Sequence, residues 1–225
     1  MAGDTFDVLV VCTGNVHRSP LGAMLLGSWA NRYLPPSASG SVRVASAGTR
    51  APEGASMGRR ARAIAVALGG DGRDHRATQV TEAHLRAADL VLVASSRHRE
   101  RVIQLVPATL RTAFTIREAG RIAANFRLPA APRSVAELRA VVAGLAANRA
   151  LGSGDDDIID PQGGGDEDYL RMAAEEVPAL ASLAGLLLGM PQAEVAAYRN
   201  ASYGPDLIAD RGSAPPRGGS GRRRA

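Results

Sequence analysis

Cys12 and Arg18 are the two residues of this sequence whose types and spacing most directly suggest chemistry. Cys12 is the only cysteine among the 225 residues, and five residues separate it from Arg18. A thiolate is a strong nucleophile, and a guanidinium can bind two oxygens of a tetrahedral anion at once. The residues between them would add backbone amides, and they are Thr13, Gly14, Asn15, Val16 and His17. The spacing therefore predicts a phosphate-binding loop in which Cys12 attacks phosphorus.

Regular elements on either side would hold this loop in place. The apolar run 6–11 is typical of a buried parallel strand, and the apolar spacing over 21–29 is typical of a helix. Ser19 and Pro20 suit the N-cap and the first helical position. The loop amides and the positive end of the helix dipole would then converge on one space, which favours an anion there and a thiolate at Cys12.

Four segments of the sequence resemble the low-molecular-weight protein tyrosine phosphatases. The first is the loop itself, Val11-Cys12-Thr13-Gly14-Asn15 followed by Arg18-Ser19-Pro20. The others are Ser46-Ala47-Gly48-Thr49, Asp74-His75-Arg76-Ala77 and Asp160-Pro161. The resemblance covers roughly residues 4–188. It implies an α/β phosphatase that forms a cysteinyl-phosphate on Cys12 and then hydrolyses it with water.

Asp160 is the predicted general acid. Expulsion of an aryl alkoxide from phosphorus is slow unless a proton reaches the leaving oxygen, so the thiolate needs an acid on a facing loop. Pro161 biases Asp160 toward an extended conformation, and the resemblance assigns this role to an Asp-Pro pair at such a late position. The neighbouring triplet 155–157 is rich enough in aspartate to compete, but a solvated charge run is the expectation for it.

The resemblance also implies a group of residues that support the loop. Asn15 is expected in a left-handed conformation, held from behind by Ser46 and His75. Ser19 is expected both to cap the helix and to donate its hydroxyl to the Cys12 thiolate. The alternative for His75 is an imidazole exposed on a loop, with no role in supporting the phosphate-binding loop.

Three features depart from the family pattern. His17 stands where many members have a second cysteine, so no disulfide can protect Cys12, and a protonated His17 would stabilise the thiolate. Aromatic residues that often recognise the phosphotyrosine ring are replaced by the segments 50–52 and 162–164. Residues 128–154 look like an insertion before the loop that carries Asp160, called the acid loop below. The insertion could form a lid or a partner surface.

Strand and helix patterns alternate along most of the chain. Further strands are predicted over 41–46, 89–94 and 112–116, and helices over 53–68, 82–88, 96–105, 118–126, 134–148 and 166–189. Such alternation predicts an α/β fold with an open four-stranded parallel sheet and helices on both faces. We expect one domain over 1–190 and a flexible, disordered tail rich in Arg, Gly and Pro over 191–225.

Charge and composition exclude several classes of protein. The formal charge is +5, but +3 of it lies from Glu194 onward, so the folded part carries no nucleic-acid footprint. The apolar runs are too short and too interrupted for a membrane span, and the N-terminus has no basic leader. A lone reactive thiol fits a reducing compartment, and we expect a cytoplasmic protein. Neither a metal nor another cofactor is expected, because the four histidines have no ligand spacing.

The sequence thus favours a metal-independent phosphatase acting on phosphotyrosine proteins or small aryl phosphates. An arsenate reductase that draws electrons from an external small thiol is the main alternative, because such enzymes share the fold and the loop. The third possibility is a weakly active module that binds phosphorylated partners and uses the basic tail as a tether. The presence of Cys12, Arg18 and Asp160 together speaks for the enzyme.

Overall fold

Four parallel strands form the sheet in the computed structural model, which describes residues 4–35, 40–128, 130–149 and 155–208. They are β1 (Phe6–Cys12), β2 (Val42–Gly48), β3 (Leu90–Val93) and β4 (Ala113–Thr115), in the spatial order β2–β1–β3–β4. The unbroken apolar run of β3 predicts a place at the centre, and β3 lies between β1 and β4 with every residue buried. The predicted open parallel sheet is confirmed.

Helices follow the strands along the chain. Those of the described residues are α1 (Arg18–Tyr33), α2 (Arg59–Ala67), α3 (Glu82–Ala87), α4 (Ser96–Leu105), α5 (Ile116–Asn125), α6 (Val135–Ala147), α7 (Asp166–Leu187) and α8 (Gln192–Ala201). Short 3₁₀ turns occupy Pro107–Arg111 and Pro205–Leu207.

Helix α2 begins six residues later than its pattern predicts. Apolar spacing favoured a start near Glu53, but Gly54 has φ of 81° and the Ala55 amide closes a turn on the Pro52 carbonyl at 3.0 Å. A left-handed residue cannot belong to a right-handed helix, so the apolar spacing wrongly included a turn in the predicted helix. The C-terminal limit before Gly69 is as predicted.

The sheet is covered on both faces, as the fold prediction requires. Side chains alternate along each strand, so Val8 and Val10 enter one core while Leu9 and Val11 enter another. The larger core lies against α1, α5 and α7, and the smaller one lies against α3 and α4. Both faces of β1 are therefore fixed, which fixes the position of the loop at its carboxyl end.

Helix α6 lies within the presumed insertion 128–154, of which 129 and 150–154 fall outside the described residues. Ser134 caps it by accepting a hydrogen bond from the Glu137 amide at 3.2 Å, as the sequence predicts. Its apolar side, which includes Leu138, Val142 and Leu145, is buried in the larger core. The described part of this segment therefore contributes to the core rather than covering the active-site loop.

The ordered chain continues past the domain limit expected at 190. Helix α8 packs on α1 and α7; the rings of Trp29 and Tyr198 meet edge to face at 4.7 Å, and the Tyr33 hydroxyl donates to Glu194 at 2.8 Å. The flexible tail expected from 191 thus does not begin there, because α8 covers the apolar end of α1. Residues 209–225, which hold most of the basic charge of that segment, lie outside the described residues. No helix among the described residues is long and apolar enough to cross a membrane.

Candidate active site

The loop 13–17 joins the carboxyl end of β1 to the first residue of α1. Strand β2 supports it from one side, since the Thr49 amide donates to the Cys12 carbonyl and the Arg50 amide donates to the Thr13 carbonyl, both at 2.9 Å. The backbones approach so closely that a Cβ on Gly48 would lie 2.6 Å from the Thr13 oxygen. The segment 46–49 therefore has a physical role next to the loop.

Cys12 is buried at the base of the loop, with 2% of its surface exposed. The Asn15 amide donates to its Sγ at 3.3 Å, and the Ser19 Oγ lies 3.0 Å from the same sulfur. Together with the N-terminus of α1, these donors stabilise negative charge on the sulfur. Both groups that hydrogen-bond the sulfur among the described residues can therefore donate to a thiolate.

Ser19 does not cap α1. The helix begins at Arg18 with His17 in the N-cap position, and no side chain caps it. Ser19 instead belongs to the first turn, where its hydroxyl meets Cys12 and accepts a hydrogen bond from Asn15 Nδ2 at 2.9 Å. The expected capping role is thus wrong, because the hydroxyl is directed to the sulfur and to Asn15.

Asn15 has φ of 53°, the left-handed conformation expected of it. Its Nδ2 also donates to Ser46 Oγ at 2.9 Å, and its Oδ1 accepts from the Thr78 amide at 2.9 Å. The Nε2 of His75 lies 2.7 Å from the Asn15 carbonyl, and His75 is buried. The structure thus brings Asn15, Ser19, Ser46 and His75 together beneath the loop.

Arg18 projects from α1 toward the acid loop. It is 4% exposed, its Nη1 donates to the Ile158 carbonyl at 3.2 Å, and its Nη2 lies 2.7 Å from Asp160 Oδ2. Its Nε is buried and has no hydrogen-bond partner among the described residues. A donor in that state is available to a ligand oxygen.

The acid loop is held at the carboxyl end of the sheet by its own backbone. The Ile158 amide donates to the Ala94 carbonyl at 2.9 Å, at the end of β3, and Asp157 accepts from the Ser96 amide at 2.7 Å. Asp156 pairs with Arg121 at 2.6 Å. The expectation of a solvated charge run is therefore wrong for 156 and 157, which anchor the loop; Asp155 alone is largely exposed, at 82%.

His17 connects the phosphate loop to the acid loop, a contact that sequence reasoning missed. Its Nε2 lies 2.7 Å from Gln162 Oε1, and the Tyr169 ring packs on it edge to face at 5.2 Å. Burial lowers the pKa of His17, although the Gln162 hydrogen bond and the Asp160 charge oppose this. A neutral imidazole is favoured, so His17 does not provide the positive charge considered for it.

A second missed contact joins Thr13 to α4. The Thr13 Oγ1 lies 2.8 Å from His98 Nε2, and His98 Nδ1 lies 2.6 Å from the Ser95 Oγ. Burial, reinforced by the Arg18 charge, lowers the pKa of His98 to about 4. His98 is therefore a neutral spacer that fixes the first loop residue against α4. No local sequence pattern indicates the contact between Thr13 and His98, because the two residues lie far apart in the chain.

Glu176 of α7 is a further titratable residue near the loop. Its side chain is fully buried, and neither carboxyl oxygen has a hydrogen-bond partner among the described residues. It faces Gly22 so closely that a Cβ there would lie 2.8 Å from Oε1. Burial raises the pKa of Glu176 well above its usual range, although the Arg18 charge and the Gly22 backbone act against this.

A cavity of about 230 Å³, called the sulfur cavity below, opens above Cys12. Its lining includes the loop, Arg18, Asp160, Pro52 and Gln162, with no phenylalanine, tyrosine or tryptophan among the described residues that line it. The described residues contain no cluster of His, Cys, Asp or Glu that could hold a metal ion. A nucleophile, a set of anion donors and a carboxyl group therefore share one small space.

Comparison with known proteins places this arrangement in a family. The model of low molecular weight phosphotyrosine protein phosphatases matches residues 7–127, which include Cys12 and Arg18 but end before Asp160. The protein-arginine-phosphatase of Geobacillus stearothermophilus is 33% identical over 113 residues, which is 50% of this chain and 70% of that protein. A probable low molecular weight protein-tyrosine-phosphatase of Erwinia amylovora, AmsI, is 36% identical over 102 residues, 45% of this chain and 65% of AmsI.

A solved structure agrees with the sequence comparison. The crystal structure of Erwinia amylovora tyrosine phosphatase AmsI superimposes with a TM-score of 0.59, 21% identity, and coverage of 83% of this chain and 96% of that one. The two proteins therefore share the fold. The chain belongs to the low molecular weight phosphotyrosine protein phosphatase family, and the relatives named above are a protein-arginine-phosphatase and a probable protein-tyrosine-phosphatase.

Proposed function

We propose that this chain hydrolyses phosphotyrosine-type monoesters through a cysteinyl-phosphate on Cys12. The observation that supports it most is the contact of Asp160 with Arg18 at 2.7 Å, above the buried Cys12. A carboxyl group on a separate loop is thereby within reach of any phosphate that Arg18 binds. Nucleophile, anion donors and proton source are the three requirements of this reaction.

Binding comes first. The amides of Thr13 to Arg18 and the free Nε of Arg18 face the anion, and two phosphate oxygens can be held by one guanidinium. The incoming dianion competes with Asp160 for Nη2 of Arg18. Its arrival therefore loosens the Asp160 carboxyl from Arg18 and frees it to turn toward the leaving oxygen.

The transfer follows in two displacements. The Cys12 thiolate forms an S–P bond as the P–O bond to the aryl group breaks, and Asp160 gives its proton to the departing phenolate oxygen. A water molecule then attacks phosphorus, Asp160 takes a proton from it, and the S–P bond breaks. Inorganic phosphate leaves, while the Cys12 thiolate and the protonated Asp160 are restored. The loop donors stabilise the charge on the equatorial oxygens in both steps.

The test is hydrolysis of para-nitrophenyl phosphate by the full chain and by Cys12→Ser. We expect turnover in the wild type, none above background in Cys12→Ser, and an acid-quenched, radiolabelled phosphoenzyme in the wild type alone. Asp155→Asn is the matched control, because Asp155 is largely exposed and does not line the sulfur cavity. Turnover that survives in Cys12→Ser, or arsenate-dependent oxidation of a small thiol without ester hydrolysis, contradicts the proposal.

Phosphoarginine is a second candidate substrate, because one relative is a protein-arginine-phosphatase. The described lining of the sulfur cavity contains no phenylalanine, tyrosine or tryptophan, so it lacks the large aromatic side chains that would stack on the phosphotyrosine ring. Two peptides of one sequence, phosphorylated on tyrosine or on arginine, separate the two functions by their kcat/KM. Preference for phosphotyrosine supports the first proposal, and preference for phosphoarginine replaces it.

A further inference from the structure

A second cavity, of about 660 Å³, adjoins the one above Cys12. The two share Thr13, Arg18 and Asp160, so a ligand anchored at the sulfur continues into the larger space. One wall is the outer face of α4 and the other is the loop that follows β2. We call this space the arginine groove, after Arg50, Arg97 and Arg101, which line it.

The three side chains are exposed, and none of their guanidinium groups donates a hydrogen bond to, or forms an ion pair with, a described residue. Arg97 and Arg101 are four residues apart in α4 and so share one side of the helix, and Arg50 comes from the opposite wall. Several other surface arginines have acidic partners within 3 Å, as Arg43 has Asp7 and Arg139 has Asp89. The groove, by contrast, brings together three guanidiniums that no ion pair with a described residue neutralises.

The carboxylates of the groove do not cancel this charge. Asp160 pairs with Arg18, and Asp157 is held by the Ser96 amide at 2.7 Å and the Ser96 hydroxyl at 3.3 Å. Glu100 is the one acid among the described residues of the groove lining that has no such partner. Three uncommitted guanidiniums thus face one uncommitted carboxylate.

We propose that the arginine groove binds the acidic residues that flank the phosphorylated residue of a peptide substrate, an inference that rests on the proposed function. Continuity with the sulfur cavity places the flanking residues in the groove once the phosphate occupies the loop. Guanidiniums bind carboxylates in bidentate fashion, and exposed pairs of this kind are sensitive to salt. Charge outside the ring would then supply the recognition that the missing aromatic wall does not.

The experiment compares two phosphotyrosine peptides, identical except for glutamate or glutamine at the flanking positions, in the wild type and in Arg97→Gln/Arg101→Gln. The readout is the ratio of their kcat/KM values, because a ratio cancels changes in the chemistry at Cys12. We expect the wild type to prefer the acidic peptide about tenfold at low salt, and each arginine to account for about two- to fivefold. Arg111→Gln, an exposed arginine outside the groove, keeps the wild-type ratio.

A ratio near one in the wild type, or a preference unchanged in the double variant, overturns the proposal. So does a stronger preference for a second phosphate than for glutamates at the flanking positions, which would make the groove a phosphate subsite. The peptides are also bound to Cys12→Ser and followed by fluorescence anisotropy. If the wild type hydrolyses nothing, the proposed function fails; the groove proposal stands if acidic peptides bind more tightly there and falls if they do not.

Discussion

The guanidinium of Arg18 and the carboxylate of Asp160 are 2.7 Å apart, and they come from opposite ends of the folded chain. The pair occupies the position that a phosphate oxygen would take on Nη2. Asp160 is half exposed, at 47%, so the carboxyl can leave the pair without unfolding anything. The same contact therefore holds the Asp160 carboxyl group beside the anion site, from which an incoming phosphate can displace it.

Asp160→Asn separates these two roles. We expect kcat for phenyl phosphate, whose phenolate is a poor leaving group, to fall about 10²- to 10⁴-fold because no proton reaches the departing oxygen. Dinitrophenolate leaves with little need for protonation, so kcat for dinitrophenyl phosphate should fall much less. Vanadate should bind at least as tightly as to the wild type, since its competitor for Arg18 is gone. Equal losses for both esters, or weaker vanadate binding, would contradict the assignment.

Gln162→Ala tests the contact between His17 and the acid loop, which measures 2.7 Å. Without it the acid loop loses a tie to the phosphate loop, and we expect about a tenfold fall in kcat for phenyl phosphate with little change for dinitrophenyl phosphate. The dependence of rate on leaving group is the measurement. Gln192→Ala, on the exposed side of α8, is the control. A uniform fall for all esters would mean a general loss of structure instead.

Asn15 combines a left-handed backbone with three side-chain hydrogen bonds to Ser19, Ser46 and Thr78. Asn15→Gly keeps the backbone accessible and removes only the bonds, so we expect a loss of about 1–3 kcal/mol in unfolding free energy. Asn15→Ala adds about 1 kcal/mol more, because alanine disfavours this conformation. Urea denaturation measures both. If glycine and alanine cost the same, the strain argument is wrong.

Glu176→Gln tests the buried carboxyl of α7. The folded pKa is raised, so the favourable neutral form is retained below the unfolded pKa near 4.5, and stability is lost as pH rises toward the folded pKa. The variant has no such loss. Its unfolding free energy relative to wild type should therefore rise with pH above the unfolded pKa and level off above the folded pKa, by at most about 1.4 kcal/mol per pH unit. Glu167→Gln, exposed on the same helix, should show a flat difference. A flat difference at Glu176 as well would show that this carboxyl is not held neutral.

Local patterns account for most of what the sequence predicts. The strand before Cys12, the helix after it and the buried run of β3 follow from apolar spacing, and the Ser134 cap follows from its neighbour Glu137. These signals arise within a few residues of one another. The four segments that suggested the family could be recognised for the same reason.

Contacts between distant segments could not be predicted in this way. The pairs His17–Gln162 and Thr13–His98 depend on how the acid loop and α4 meet the phosphate loop, and single residues carry no signal of it. Ser19 was expected to cap its helix because its position suits a cap, but tertiary neighbours claimed its hydroxyl. The tail was expected to begin too early because its Arg, Gly and Pro content was judged over all of 191–225, whereas 192–201 is rich in alanine, a strong helix former, and packs on Trp29.

Cys12 is the only sulfhydryl in the chain, and it lies at the floor of the phosphate cavity. The amount of an alkylating reagent that the protein takes up therefore equals the amount of protein with a reactive Cys12. Bound oxyanion should slow that alkylation in proportion to occupancy. A dye attached there would report on the cavity without interference from labels elsewhere, so preparations can be standardised by titration rather than by mass.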